Sequence, residues 1–307
     1  MMYGVIDIGS NSIRLSLYKK TETSFKLMLN KKNMAGLAGY VDKSGNLNKK
    51  GIRKTISILN AYRQILENIE VEDIYVFATA SLRNINNTQD AIQAIHEQTG
   101  FDIDLVSGEQ EAIYDFVGAT HFMDLDKGIL VDIGGGSTEL VFYSNGSIEK
   151  AVSMPMGSLS LYTKFVKNII PTKKELIHMK EYIEELLVVD SCDKYSIICG
   201  VGGTIRGAYK LSNEIFDKAA GNRTIEVDKL IHMQREFADE RKYAVNKIIK
   251  IVPERIHTII PGMTILECIS EKYNSQSIIV SEYGIREGYL YTKLFLEGTR
   301  SDSSNFK

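Results

Sequence analysis

DIGSNSIRLSLY occupies residues 7–18 and DIGGGSTELVFY occupies residues 132–143. Laid over each other at a constant offset of 125 (132 − 7), the two stretches agree at six of twelve positions. An apolar run precedes each, Tyr3 to Ile8 and Ile129 to Ile133. A turn of small residues follows, then a second strand-like run, Ile13 to Tyr18 and Thr138 to Tyr143. The polar Thr21-Glu22-Thr23-Ser24 leads to a third run from Phe25 to Leu29. In the second copy Asn145-Gly146, a type I′ hairpin signal, leads to Ser147 through Met154. Two copies of one strand–turn–strand unit imply two similar domains facing each other across a cleft.

Between and after the copies, strands alternate with helices, which makes the fold class α/β. Helical periodicity runs from Lys49 to Asn68, and Asp73 to Ala80 reads as a buried strand. Asn87-Thr88-Gln89-Asp90 is expected to cap a helix that Gly100 stops. Phe101 to Val106 reads as another strand. Ser107 and Gln110 form a capping box opening the next helix. Thr172 to Val188 reads as a helix, Tyr195 to Val201 as a strand, and Gly202-Gly203-Thr204 as a turn into a further helix. Ala219 to Thr224 reads as a loop, with helices over Val227 to Ile251 and Pro261 to Lys272. Ser277 to Val280 is the last expected strand. The domains are expected to span residues 1–125 and 126–307, with the last helix, about 284–298, packing back on the first.

The chain of 307 residues suits two domains of ~150 each. Its net charge of −2 excludes binding a polyanion through bulk positive charge, so any cations must be local or come from a metal. Neither nucleic acid nor a membrane is expected as a partner. Cys192, Cys199 and Cys268 form no CxxC pair and read as reduced thiols. With no signal-peptide pattern and no long apolar run, a cytoplasmic location is expected.

Small residues at a tight turn let backbone N–H groups approach and point at phosphate oxygens. Ser10 and Asn11 in the first turn and Gly134, Gly135, Gly136 and Ser137 in the second are the candidates. The turn before the helix at Gly202 is a third, where the helix dipole favours an anion. Asp7 and Asp132 occupy equivalent strand ends. Each could merely cap its turn, or hold a cation, since a buried carboxylate needs a partner. Glu139, seven residues beyond Asp132, can face the same cleft, and the pair suggests Mg²⁺, with Mn²⁺ as a substitute. Arg14 stands at the matching place in the first copy. Glu109 and Glu111 lie in a helix's first turn and could simply complement its dipole; spacing favours Glu111 for the cleft.

These residues, with ATASLR (78–83), SGEQEA (107–112), GVGGT (200–204) and SEYGIREGYLY (281–291), resemble the exopolyphosphatase and guanosine pentaphosphate phosphohydrolase family. That family belongs to the actin, sugar kinase and Hsp70 superfamily. The resemblance implies duplicated actin-like, ribonuclease H-like domains. It implies metal-dependent hydrolysis of the terminal phosphoanhydride of inorganic polyphosphate, or of guanosine pentaphosphate. It implies Glu111 as the general base, with Gln110 where an acid often stands. Asp132 and Glu139, with Asp7, would organise the metal and water. Arg14, Arg83 and Arg255 would grip the phosphates. It also implies the short form, without the C-terminal helical domain of longer relatives, and a homodimer. His257, at an unusual place in RIHTIIPGM (255–263), reads as a surface or hinge residue. A kinase of the superfamily, or a non-catalytic actin-like nucleotide-binding or regulatory protein, is the rival reading.

Overall fold

The apolar run ahead of Asp7 becomes β1 (Met2–Ile8), and the residues past the turn become β2 (Ser12–Lys20) and β3 (Phe25–Met34). Period-two alternation sends Ile6, Ile8, Ile13, Leu15 and Leu17 to one face, where each is buried. That face packs on α1 (Lys49–Leu66) through Ile56, Leu59 and Tyr62. Asn48 starts this helix, its side chain accepting from the amides of Lys50 (2.9 Å) and Gly51 (3.1 Å). Tyr62 sends its hydroxyl back to the sheet, donating to the carbonyls of Ile13 (2.7 Å) and Lys31 (3.2 Å).

The helix carries the chain over to β4 (Asp73–Ala78), which lies parallel to β1. Then come α2 (Ala80–Arg83), α3 (Thr88–Thr99), β5 (Asp104–Leu105) and α4 (Gly108–Thr120). The first sheet runs β3-β2-β1-β4-β5. Three local expectations change here. The strand ends at Ala78, because Ala80 already belongs to α2. Only Asp104 and Leu105 of the run 101–106 pair with a neighbour. Asn87 does not cap α3 with its side chain, because its oxygen accepts from the amide of Leu47 instead (2.8 Å).

The second copy forms β6 (Lys127–Ile133), β7 (Thr138–Ser144) and β8 (Ser147–Met154). Asn145 and Gly146 have φ of 50° and 70°, as a type I′ turn requires. The chain continues through α5 (Ser158–Phe165), α6 (Lys173–Leu186), β9 (Ile197–Val201), α7 (Gly202–Ile215) and β10 (Thr224–Glu226). It ends with α8 (Val227–Asp239), α9 (Arg241–Ile251), α10 (Ile259–Lys272), β11 (Ser277–Val280) and α11 (Ile285–Tyr291). The sheet order is β10-β11-β9-β6-β7-β8. Read from β8 inward, its first five strands repeat the order of the first sheet. The duplication seen in twelve residues thus extends to five strands of each sheet, with β10 added at the edge of the second.

Helix α10 is buried on every side from Ile259 to Ser270. Its one carboxylate there, Glu267, is satisfied by Lys180 (2.7 Å) and by Gln234. Cys199 and Cys268 are buried free thiols, and burial pushes both up to about 12.

This computed structural model describes residues 1–121, 126–187, 194–219 and 221–297. Cys192 and the end of the expected last helix lie outside them. The chain forms two compact units, one of Met1–Glu111 with the segment beginning at Tyr289, the other of Ala112–Gly288. In the first, the Tyr289 ring packs 4.8 Å from that of Phe77 and its hydroxyl donates to Asp104 (2.8 Å). Among the described residues no helix is long and apolar enough to cross a membrane.

Candidate active site

Each copy closes its turn in the same way. Gly9 N–H donates to the Ser12 carbonyl (3.1 Å), and Gly134 N–H to that of Ser137 (2.9 Å). Chain further on then grips the turn's carbonyls. In the first unit Asn11 O accepts from Ala35 (3.0 Å) and Gly36 (2.9 Å), and Ser10 O from Ala38 (3.3 Å). In the second, Gly134 O accepts from Ser158, and Gly135 O from Leu159 and Ser160, each at 2.9 Å.

A trans peptide points its C=O and the following N–H in opposite directions. Tethering those carbonyls therefore turns the amides of Asn11 and Ser12, and of Gly135 and Gly136, the other way. The turns are amide-donating cradles held from behind. Gly157 belongs to the clamp, because a Cβ there would sit 2.5 Å from the Gly135 carbonyl carbon.

Next to each cradle the sheet register sets charged side chains in a row. In the first unit Asp7 pairs with Arg14, and Arg14 with Lys32. In the second Asp132 pairs with Glu139, and Glu139 with Ser153. Cross-strand partners share one face of the sheet, with Cβ atoms about 5 Å apart. Glu139 is fully buried, its Oε1 accepting from the Ser153 hydroxyl at 2.8 Å.

Asp132 faces several charged side chains of the second unit. It lies beside the start of α7, where a Cβ on Gly202 would fall 1.9 Å from its Oδ1. Val201, the residue before the helix, offers no side-chain cap, so an anion is favoured there. Burial pushes the Asp132 carboxyl up, and the guanidiniums of Arg206, Arg255 and Arg286 pull it down. Arg255 lies over the glycines of α7, its Nη2 being 1.9 Å from where a Cβ on Gly203 would stand.

In the first unit Arg83 donates to Glu111 Oε2 and to the Val106 carbonyl, both at 2.9 Å. Arg83 hangs from α2, and Glu111 stands in the first turn of α4, where Ser107 and Gln110 form the expected capping box. The two residues singled out separately in the sequence are thus bonded to each other. Arg14 reaches Asn30 at 3.4 Å. His257 is exposed, its ring 4.9 Å from that of Tyr162.

Among the described residues no three His, Cys, Asp or Glu side chains gather to cage a metal by themselves. Mg²⁺ does not need such a cage, for it keeps several waters and takes one or two carboxylates. Like charges directly opposite in a sheet destabilise it. A hard divalent cation removes that cost, so the adjacent Asp132 and Glu139 fit one. Sequence reasoning missed Arg206 and Arg286. Both had a signal: Arg206 is one helical turn beyond Gly202, and Arg286 lies inside SEYGIREGYLY.

The profile of the Ppx/GppA phosphatase family matches residues 16–297. A Vibrio cholerae protein named guanosine-5′-triphosphate,3′-diphosphate pyrophosphatase is 25% identical over 94% of this chain and 59% of its own length. The chain thus spans less than two thirds of the first curated relatives it matches. A Haemophilus influenzae protein, whose exopolyphosphatase name is provisional, is 24% identical over 94% of this chain and 90% of its own.

Among solved structures, an exopolyphosphatase from Cytophaga hutchinsonii superposes with a TM-score of 0.85 at 21% identity, covering 97% of this chain and 98% of that one. The Aquifex aeolicus PPX-GPPA enzyme gives 0.75 at 25% identity, covering 95% and 99%. The fold is therefore the duplicated, actin-like α/β architecture that the family resemblance implies. With the profile matching nearly end to end, the chain belongs to the Ppx/GppA phosphatase family.

Proposed function

We propose that the chain hydrolyses the terminal phosphoanhydride of inorganic polyphosphate and releases orthophosphate. The observation that carries this reading is the doubled cradle, a turn with outward amides beside a row of charged side chains. Phosphoryl transfer asks a protein for positioning and charge stabilisation more than for covalent chemistry. Ser10, Asn11, Gly134, Gly135, Gly136 and Ser137 supply amides and hydroxyls for phosphate oxygens. Arg14, Arg83 and Arg255 supply guanidinium forks that match them.

Glu111 is the general base that takes the proton of the attacking water. Its Oε2 accepts from Arg83 at 2.9 Å, which fixes the orientation of the carboxylate. Asp132 and Glu139 are the residues that would hold Mg²⁺ or Mn²⁺ in the second unit, and Asp7 stands at the equivalent strand end of the first. When bound, the ion neutralises charge developing on the phosphate oxygens.

Guanosine pentaphosphate is the second reading, favoured by the name of the Vibrio cholerae relative. The test is phosphate release with Mg²⁺ from short polyphosphate, long polyphosphate and guanosine pentaphosphate, beside Glu111→Gln. Release that the variant loses supports the assignment, and the substrate that is turned over chooses between the readings. No release from any of them would leave a binding or regulatory protein. We further propose a cytoplasmic location and a homodimer, which fractionation and sedimentation would check.

A further inference from the structure

Three guanidiniums come together in the second unit, on three different elements. Arg206 lies on α7, Arg286 on α11, and Arg255 in the turn at Pro253–Arg255 before α10. Arg286 is buried, and Arg206 donates to the carbonyls of Ser281 (3.2 Å) and Glu282 (3.4 Å). That anchoring fixes the guanidinium's orientation. Arg286, Glu287, Asp132 and Arg255 are the charged groups that face Arg206.

Like charges gathered in one place repel, at a cost that Glu287 and Asp132 offset in part and a bound anion would offset further. The same place holds the uncapped N-terminus of α7, a helix of 14 residues. Gly203 and Gly207 leave room there for the Arg255 side chain: added Cβ atoms would lie 1.9 Å from its Nη2 and 3.0 Å from its Cδ. A helix N-terminus and several guanidinium forks are both complementary to a tetrahedral oxyanion.

We infer that Arg206 and Arg286 join Arg255 in an oxyanion site at the N-terminus of α7 that takes a phosphoryl group of the substrate. This rests on the phosphoanhydride reading, but it is a statement about binding and can be tested without turnover. The probes are inorganic phosphate and tripolyphosphate, titrated calorimetrically into the full chain in the presence of a chelator. Wild-type protein and Glu111→Gln should both bind, more weakly as salt is raised.

Arg206→Gln and Arg286→Gln should each weaken binding about 10- to 100-fold, the scale of a lost charge-assisted hydrogen bond. Arg206→Lys should recover part of it, because the charge returns without the fork. Circular dichroism shows whether each variant folds. If a Gln variant does not fold, the Lys variants at 206 and 286 carry the test, with a loss of about tenfold expected. Folded variants that bind phosphate like the wild type would overturn the inference and leave both arginines as structural pins. So would a wild-type protein that binds neither probe. Failure of the hydrolysis assay alone, with binding and its arginine dependence intact, would overturn the proposed reaction and not this site.

Discussion

Gly202 and Asp132 are in such close register that the glycine's missing Cβ would lie 1.9 Å from the aspartate's Oδ1. Gly202 also has φ of 77°, the left-handed region, where a side chain costs about 1–2 kcal/mol. Gly202→Ala should therefore do two kinds of damage. We expect a stability loss of about 1–3 kcal/mol, or ~2–4 °C in Tm per kcal/mol, and a fall in kcat of tenfold or more as Asp132 is displaced. Gly203→Ala is the contrast. Its clash is with the mobile end of Arg255, so Tm should hold while KM rises. Scanning calorimetry and steady-state kinetics on the two variants decide this. Equal effects would show that Asp132 is not held by the glycine.

The Arg83–Glu111 pair makes a second expectation. Both side chains are largely buried, so Arg83→Ala leaves a desolvated carboxylate without its cation. Breaking such a pair costs about 3 kcal/mol. Glu111→Gln keeps a hydrogen-bond acceptor for Arg83 and should cost far less, while lowering kcat about 10²- to 10⁴-fold. Thermal unfolding together with phosphate release separates the variants. If Arg83→Ala unfolded at the wild-type temperature, the pair would be too solvated to matter.

Alkaline pH should loosen the first unit through Tyr62. Burial raises its phenol from 10.0 to about 12. For an acid raised in the folded state, the stabilisation is complete below pH 10 and is lost as pH climbs toward about 12. The protonated hydroxyl is the one that donates to Ile13 and Lys31. Tyr62→Phe should be less stable by about 1–2 kcal/mol at neutral pH. Its unfolding midpoint should also fall less steeply between pH 10 and 12. Parallel curves for the two proteins would count against this origin.

Chelation should stop phosphate release, and added Mg²⁺ should restore it. The ion should also raise Tm of the wild type in a concentration-dependent way, since a ligand of the native state stabilises by mass action. Glu139→Gln should show little of that shift. A variant that kept the full shift would place the ion elsewhere.

What could be seen in the sequence was what chain neighbours decide. The strand–turn–strand repeat, the Asn145-Gly146 turn and the Ser107–Gln110 box follow from alternation, glycine and local hydrogen bonds. Asn87 went astray because Leu47, forty positions earlier, claims its oxygen. Arg206 and Arg286 were passed over for the same kind of reason. An arginine on a helix reads as solvated until the other elements bring Asp132, Arg255 and Glu287 beside it. The sequence singled out Arg83 and Glu111, but only tertiary structure shows that they are bonded to each other.

The buried thiols of Cys199 and Cys268 turn this protein into its own stopwatch. A thiol reacts as thiolate, and groups held near 12 present almost none at neutral pH. With Cys192→Ser removing the third thiol, a maleimide could label the second unit only when it opens. The labelling rate would then report how often that unit exposes its interior, and whether phosphate slows it.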